Sequence, residues 1–112
     1  MRETFVYVIA AEGDNHIKIG IAYEPEKRLR QIQGGNPCFL YIARQWGPMS
    51  RQEAEAMEAR LHHFFDAFRI RGEWFFSITP DEVSELVVIA LNSSGDEYRA
   101  AQGQIFDRVV HG

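Results

Sequence analysis

Thr4-Phe5-Val6-Tyr7-Val8-Ile9-Ala10 and His16-Ile17-Lys18-Ile19-Gly20-Ile21 decide the fold, because both read as strands and the short turn Glu12-Gly13-Asp14-Asn15 joins them. The first is β-branched and aromatic, and the second alternates polar with apolar residues at a period of two. A Gly-Asp pair at the centre of the connection signals a tight hairpin. In the register it sets, Val6 faces Ile21, Val8 faces Ile19 and Ala10 faces Ile17, so one face is apolar throughout. The other face sets Tyr7 opposite Gly20 and Ile9 opposite Lys18. Tyr7 and Lys18 are then diagonal neighbours, about 7 to 8 Å apart.

Downstream, Pro25 suits the first turn of a helix over 25–33, with Leu29 and Ile32 on one side, Lys27, Arg28 and Arg30 on the other, and Gly34-Gly35 after it. Cys38 to Trp46 is a third strand candidate, closed by Gly47-Pro48. Ser50 and Glu53 form a capping box for a second helix, in which Ala54, Met57, Leu61, Phe64, Phe65 and Phe68 keep to one core-facing stripe. Glu58 and His62 lie on the flank of that stripe. Arg69-Ile70-Arg71-Gly72 reads as a turn and Glu73 to Ser77 as a short aromatic strand. Thr79, Pro80 and Glu82 open a third helix that runs to Leu91. Residues 96–112 could form a weak helix without a readable motif.

The chain has 112 residues, 46% of them apolar, with eight Phe, four Tyr and two Trp, which excludes a disordered polymer. A length of this order fits one compact domain that buries roughly 65% of its extended surface. The longest wholly apolar run, Phe5 to Ala11, is seven residues, far below the roughly 20 that a spanning helix needs. Met1-Arg2-Glu3-Thr4 is too short and too acidic to open a secretory signal, and the single Cys38 cannot close an internal disulfide. A cytoplasmic location, with no membrane partner, is the expectation.

The formal net charge of −4 is C-terminal: residues 1–80 balance ten basic against ten acidic groups, whereas 81–112 hold two against six. Within 16–44 the balance is +3, from Lys18, Lys27, Arg28, Arg30 and Arg44 against Glu24 and Glu26. Local positive character of this kind steers polyanions despite an acidic total.

In their order these elements resemble the GIY-YIG endonuclease superfamily over roughly residues 4 to 80. Val6-Tyr7-Val8 stands for the first motif and Lys18-Ile19-Gly20 for the second. Arg28 follows ten residues after Lys18, and Glu58 lies in the helix Met57-Glu58-Ala59-Arg60-Leu61-His62. The KIG spelling, the Leu61-His62 pair and Arg71-Gly72-Glu73-Trp74-Phe75 are similar to a small, single-domain, phage-type branch.

The resemblance implies an α/β (α+β) domain over 1–92, built on a small, mainly antiparallel three-stranded sheet flanked by helices, with an acidic C-terminal tail over 93–112. It implies a DNA endonuclease that hydrolyses phosphodiesters with one divalent ion, Mg²⁺ or Mn²⁺. The catalytic set is then Tyr7 as base, Lys18 as its electrostatic partner, Arg28 on the phosphate, and Glu58 as metal ligand. His62 and Glu73 would orient that machinery from behind, and Lys18, Lys27, Arg28, Arg30 and Arg44 would contact nucleic acid, expected as double-stranded DNA.

The chemistry asks for the same parts: a base near water, cationic charge on the phosphoryl oxygens, and a hard ion on carboxylate oxygen. A tyrosine of pKa about 10 is a weak base at neutral pH, and a nearby ammonium favours its ionised form. The alternatives are a catalytically degenerate nucleic-acid-binding module of the same fold, and a protein-interaction domain that uses the acidic C-terminal segment for a partner or a homo-oligomer.

Overall fold

The computed structural model describes residues 3–92; the expected tail over 93–112 lies outside the described residues. Strands β1 (Thr4–Ala11) and β2 (His16–Ala22) pair antiparallel in the register that the alternation sets, with Val6 on Ile21, Tyr7 on Gly20, Val8 on Ile19 and Ile9 on Lys18. Helix α1 (Pro25–Gln33) follows, then β3 (Leu40–Met49), α2 (Arg51–Phe64), a single 3₁₀ turn (Asp66–Phe68), β4 (Arg69–Arg71), β5 (Trp74–Phe76) and α3 (Pro80–Asn92).

The sheet has five strands in the order β3-β1-β2-β5-β4, with every neighbouring pair antiparallel, and this corrects the expected three-stranded sheet. The class remains α+β. Arg69-Ile70-Arg71 read as a turn because three residues are too few to display a period of two. They instead pair with β5 as an edge strand, where flanking arginines discourage further pairing. β5 adds to β2 through Lys18 and Trp74, Ile17 and Phe75, His16 and Phe76. β3 starts at Leu40 rather than Cys38 and runs through Gly47-Pro48 to pair Met49 with Thr4. A proline is tolerated there because β3 is the opposite edge of the sheet.

Alternation sorts the side chains into two layers. Val6, Val8, Ala10, Ile17, Ile19 and Phe75 face α2 and α3, packing on Ala54, Met57, Leu61 and Phe65 and on Val83, Leu86 and Val87. Tyr7, Ile9, Ala11 and Leu40 face α1, packing on Leu29 and Ile32. Each fully buried Leu or Phe in these layers contributes about 1.5 to 3 kcal/mol. Both expected helix caps form. The Ser50 hydroxyl accepts from the Glu53 N–H at 3.1 Å, and the Glu82 N–H donates to the Thr79 hydroxyl at 3.2 Å. α2 stops at Phe64, so of the expected stripe Phe65 caps the helix and Phe68 packs from the 3₁₀ turn.

Candidate active site

The candidate residues meet where β5 runs out and β2 has a free stretch of edge. Regular β2–β5 pairing ends at Lys18 and Trp74, and the next β2 residue, Ile19, holds two site residues with its own backbone. Its N–H donates to the Glu73 carbonyl at 3.1 Å, and its carbonyl accepts from His62 Nε2 at 2.8 Å. Because a carbonyl can only accept, Nε2 carries the proton, and Nδ1 of a neutral ring keeps its lone pair. An imidazole anchored in this way to a backbone carbonyl is a common arrangement behind metal ligation.

Glu58 reaches the same place from α2, one turn before His62. One ligand atom each from Glu58, His62 and Glu73 lies within 4.8 Å of the others, the spacing that a shared metal ion requires. Glu58 Oε2 is buried and accepts no hydrogen bond. A buried carboxylate oxygen left unpaired is costly, and a cation is one of the few partners that would satisfy it. Burial, together with the adjacent Glu73 carboxylate, pushes Glu58 up to about 7, against the opposing pull of Lys18 and Arg51. Burial acts in the same upward sense on Glu73, but the hydrogen bond and charge of Lys18 outweigh it, and Glu73 is held below its ordinary value.

Lys18 is 7% exposed, and its Nζ donates to Glu73 Oε2 at 2.7 Å while standing 5.9 Å from the centre of the Trp74 ring. The ammonium thus occupies the acidic cluster. Tyr7, 1% exposed, lies flat across β2. A Cβ added to Gly20 would come within 2.5 Å of its hydroxyl, so glycine is what lets the phenol cross the strand. Burial pushes that hydroxyl up to about 12, with Glu73 and, more weakly, Glu58 adding to the effect. Arg28 works against burial and favours the phenolate, so the cation that bears on Tyr7 is a guanidinium from α1.

The sequence candidates therefore divide. Tyr7, Lys18, Arg28, Glu58, His62 and Glu73 converge on this edge of β2. Lys27 is exposed and lines a cleft of about 350 Å³ with Arg28, Tyr23 and Gln31, whereas Arg30 is exposed on α1 outside that lining. Arg44 does not join them: on β3 it pairs with Asp81 of α3. Glu73, expected behind the machinery, instead offers a carboxylate oxygen within ligating range of Glu58 and His62, and Arg51, at the start of α2 and not among the expected site residues, acts on Glu58. Neither has a local signature, since only tertiary pairing brings them within range.

The T5orf172 domain family model matches residues 4–90, a span that takes in the hairpin, α1, α2 and the whole sheet. The chain belongs to the T5orf172 domain family. T5orf172 domains are nuclease-like or DNA-binding, which is compatible with a nucleic-acid-related role. This family is different from the GIY-YIG superfamily, so the resemblance drawn from Val6-Tyr7-Val8 and Lys18-Ile19-Gly20 is corrected, and its phage-type branch with it. Motifs of three residues on a hairpin report a strand pairing that different families can share, and they carry too little to separate one family from another. No curated protein and no solved structure matches the chain. Among the described residues of this T5orf172 domain, no helix is long and apolar enough to cross a membrane.

Proposed function

We propose that the protein is a divalent-metal-dependent endonuclease that hydrolyses phosphodiester bonds in DNA. The observation that carries this reading is the buried, unpaired Glu58 Oε2 inside the Glu58, His62 and Glu73 cluster. Two carboxylates and one imidazole suit a hard or borderline ion, Mg²⁺ or Mn²⁺. Such an ion would offset charge on the phosphate and its leaving oxygen.

The chain's own residues supply the remaining parts. Arg28, exposed at the cleft, places a guanidinium on the phosphoryl oxygens, with Lys27 beside it. Tyr7, ionised to the phenolate, takes the proton from the attacking water, whose oxygen bonds to phosphorus as one phosphorus–oxygen ester bond breaks, and the departing alkoxide takes a proton from solvent. At about 12 the phenol is a reluctant base in the resting protein. Two of the influences holding it there are the charges of Glu73 and Glu58, the groups that a cation would neutralise. Lys18, released from Glu73 on the same occasion, becomes available to the phenolate or the phosphate.

Incubating supercoiled plasmid with the protein and Mn²⁺ tests the reading. Wild type is expected to nick the plasmid, and Glu58→Ala is expected to leave it closed. Equal inertness of both proteins would sink the catalytic proposal. The near-complete burial of Tyr7 favours a second reading, a nucleic-acid-binding module that does not cleave. Duplex binding that needs no metal and survives Glu58→Ala, with no product in any metal, would establish that reading instead.

A further inference from the structure

Arg51, the first residue of α2, is held by two partners. Its Nε donates to Glu55 Oε1 at 2.9 Å and its Nη1 to the Tyr23 hydroxyl oxygen at 3.0 Å. The guanidinium carbon stands 5.4 Å from the centre of the Tyr23 ring. These contacts fix the stem of the guanidinium and one of its two outer nitrogens. Nη2 has no hydrogen-bond acceptor among the described residues, and the side chain is 48% exposed. A guanidinium carries five donors in a rigid fork, so the outer donors of this one are pre-aimed at solvent.

Tyr23 forms part of the cleft that Arg28, Lys27 and Gln31 line. It therefore seats Arg51 at the rim of the space into which Arg28 projects. Arg28 bears on Tyr7, and Arg51 bears on Glu58. Two guanidiniums from two helices thus act on the same acidic centre, and Tyr23 touches one while sharing a cleft with the other.

We propose that Arg51, steadied by Tyr23 and Glu55, clasps a second backbone phosphate of the nucleic-acid strand whose first phosphate Arg28 holds. The inference rests on the nucleic-acid reading above and adds the residue that sets the strand's register. One phosphate contact fixes a point, and two fix a direction along the backbone. The exposed pair with Glu55 is no obstacle, because it engages only Nε and leaves the outer donors of the fork to the phosphate.

The test is duplex binding by fluorescence anisotropy across a salt series, in the presence of a chelator so that no metal-dependent cleavage intervenes. Arg51→Gln is expected to weaken binding several-fold and to reduce the slope of log affinity against log salt by about 1. Arg51→Lys should recover the slope but not the full affinity, since it returns the charge without the fork. Tyr23→Phe should weaken binding less than Arg51→Gln does. Arg60→Gln, in a separate cavity with Trp46 and Met57, should bind as wild type does. Melting temperatures equal to wild type would assign these losses to contact rather than to folding. Wild-type affinity and slope in Arg51→Gln would overturn the inference while leaving the nuclease proposal standing. If wild type itself retains no duplex at low salt, either in chelator or with Ca²⁺ in place of Mn²⁺, the nucleic-acid reading falls, and the clasp with it.

Discussion

The Tyr7 hydroxyl occupies the space over Gly20, its direct partner across the hairpin, so closely that a single added carbon would lie 2.5 Å from it. The clash cannot be relieved cheaply, because Tyr7 is fully packed among Ile9, Ala11, Leu40, Leu29 and Ile32. Gly20→Ala is therefore expected to cost about 1 to 3 kcal/mol, the usual range for overpacking. In a Tyr7→Ala background the same change should cost less than half as much. Urea unfolding of the four proteins in a double-mutant cycle measures this, and additive costs would contradict the contact.

Glu58 gives the metal-free protein a particular pH dependence. Its folded value of about 7 lies above the ordinary 4.5, so between those values the native state holds a proton that the unfolded chain has released. Stability from this group is fully present below 4.5, falls as pH rises, and levels off above about 7. Glu73, held low, acts in the opposite sense, and only under more acidic conditions. Glu58→Gln, a permanent mimic of the protonated form, should remove the decline and be the more stable protein at about pH 8, by on the order of 1 kcal/mol once solvent screening is allowed for. Parallel stability curves for the two proteins from about pH 5 to about pH 8 would contradict this assignment.

Metal binding should be coupled to the same proton. A divalent ion needs the Glu58 carboxylate, so Mn²⁺ affinity should rise with pH up to about 7 and then flatten, and binding should release a proton. At a free Mn²⁺ concentration about 100 times its Kd, the fold should gain about 2.7 kcal/mol. Calorimetry in two buffers of different ionisation enthalpy checks the proton release, and thermal unfolding checks the gain. Both effects should vanish in Glu58→Gln, and a gain that persists there would move the ion to another site.

Tyr7 should make the protein sensitive to alkali. An acid raised from 10.0 to about 12 in the folded state gives stability that is complete below about pH 10 and is lost as the unfolded phenol ionises above it. Tyr7→Phe should flatten the alkaline limb of the unfolding curve relative to wild type. Glu73→Gln should move Tyr7 ionisation to lower pH, because it removes a negative charge that opposes the phenolate, and ultraviolet difference absorbance of the phenol would record the move. An unmoved titration would mean that Glu73 and Tyr7 do not sense one another.

What could be read along the chain is what short-range physics fixes. Strand alternation placed Tyr7 on Gly20 and Lys18 on Ile9, Pro25 and Pro80 marked helix starts, and Ser50 with Glu53 marked a cap. Those signals depend on neighbours within a turn or a hairpin, and such neighbours are the same in any fold. Tertiary structure decided the rest. Arg69 to Arg71 became a strand only because β5 was there to pair with it, and Lys18 found Glu73 across 55 residues. Ile19 brought Glu73 and His62 together through backbone groups that carry no side-chain identity, so no motif could announce them. Arg44, equal to Arg28 in charge, was drawn away by Asp81. Charge, burial and metal affinity depend on which groups lie within a few ångströms, and for residues far apart in the chain that distance is set by how the layers pack.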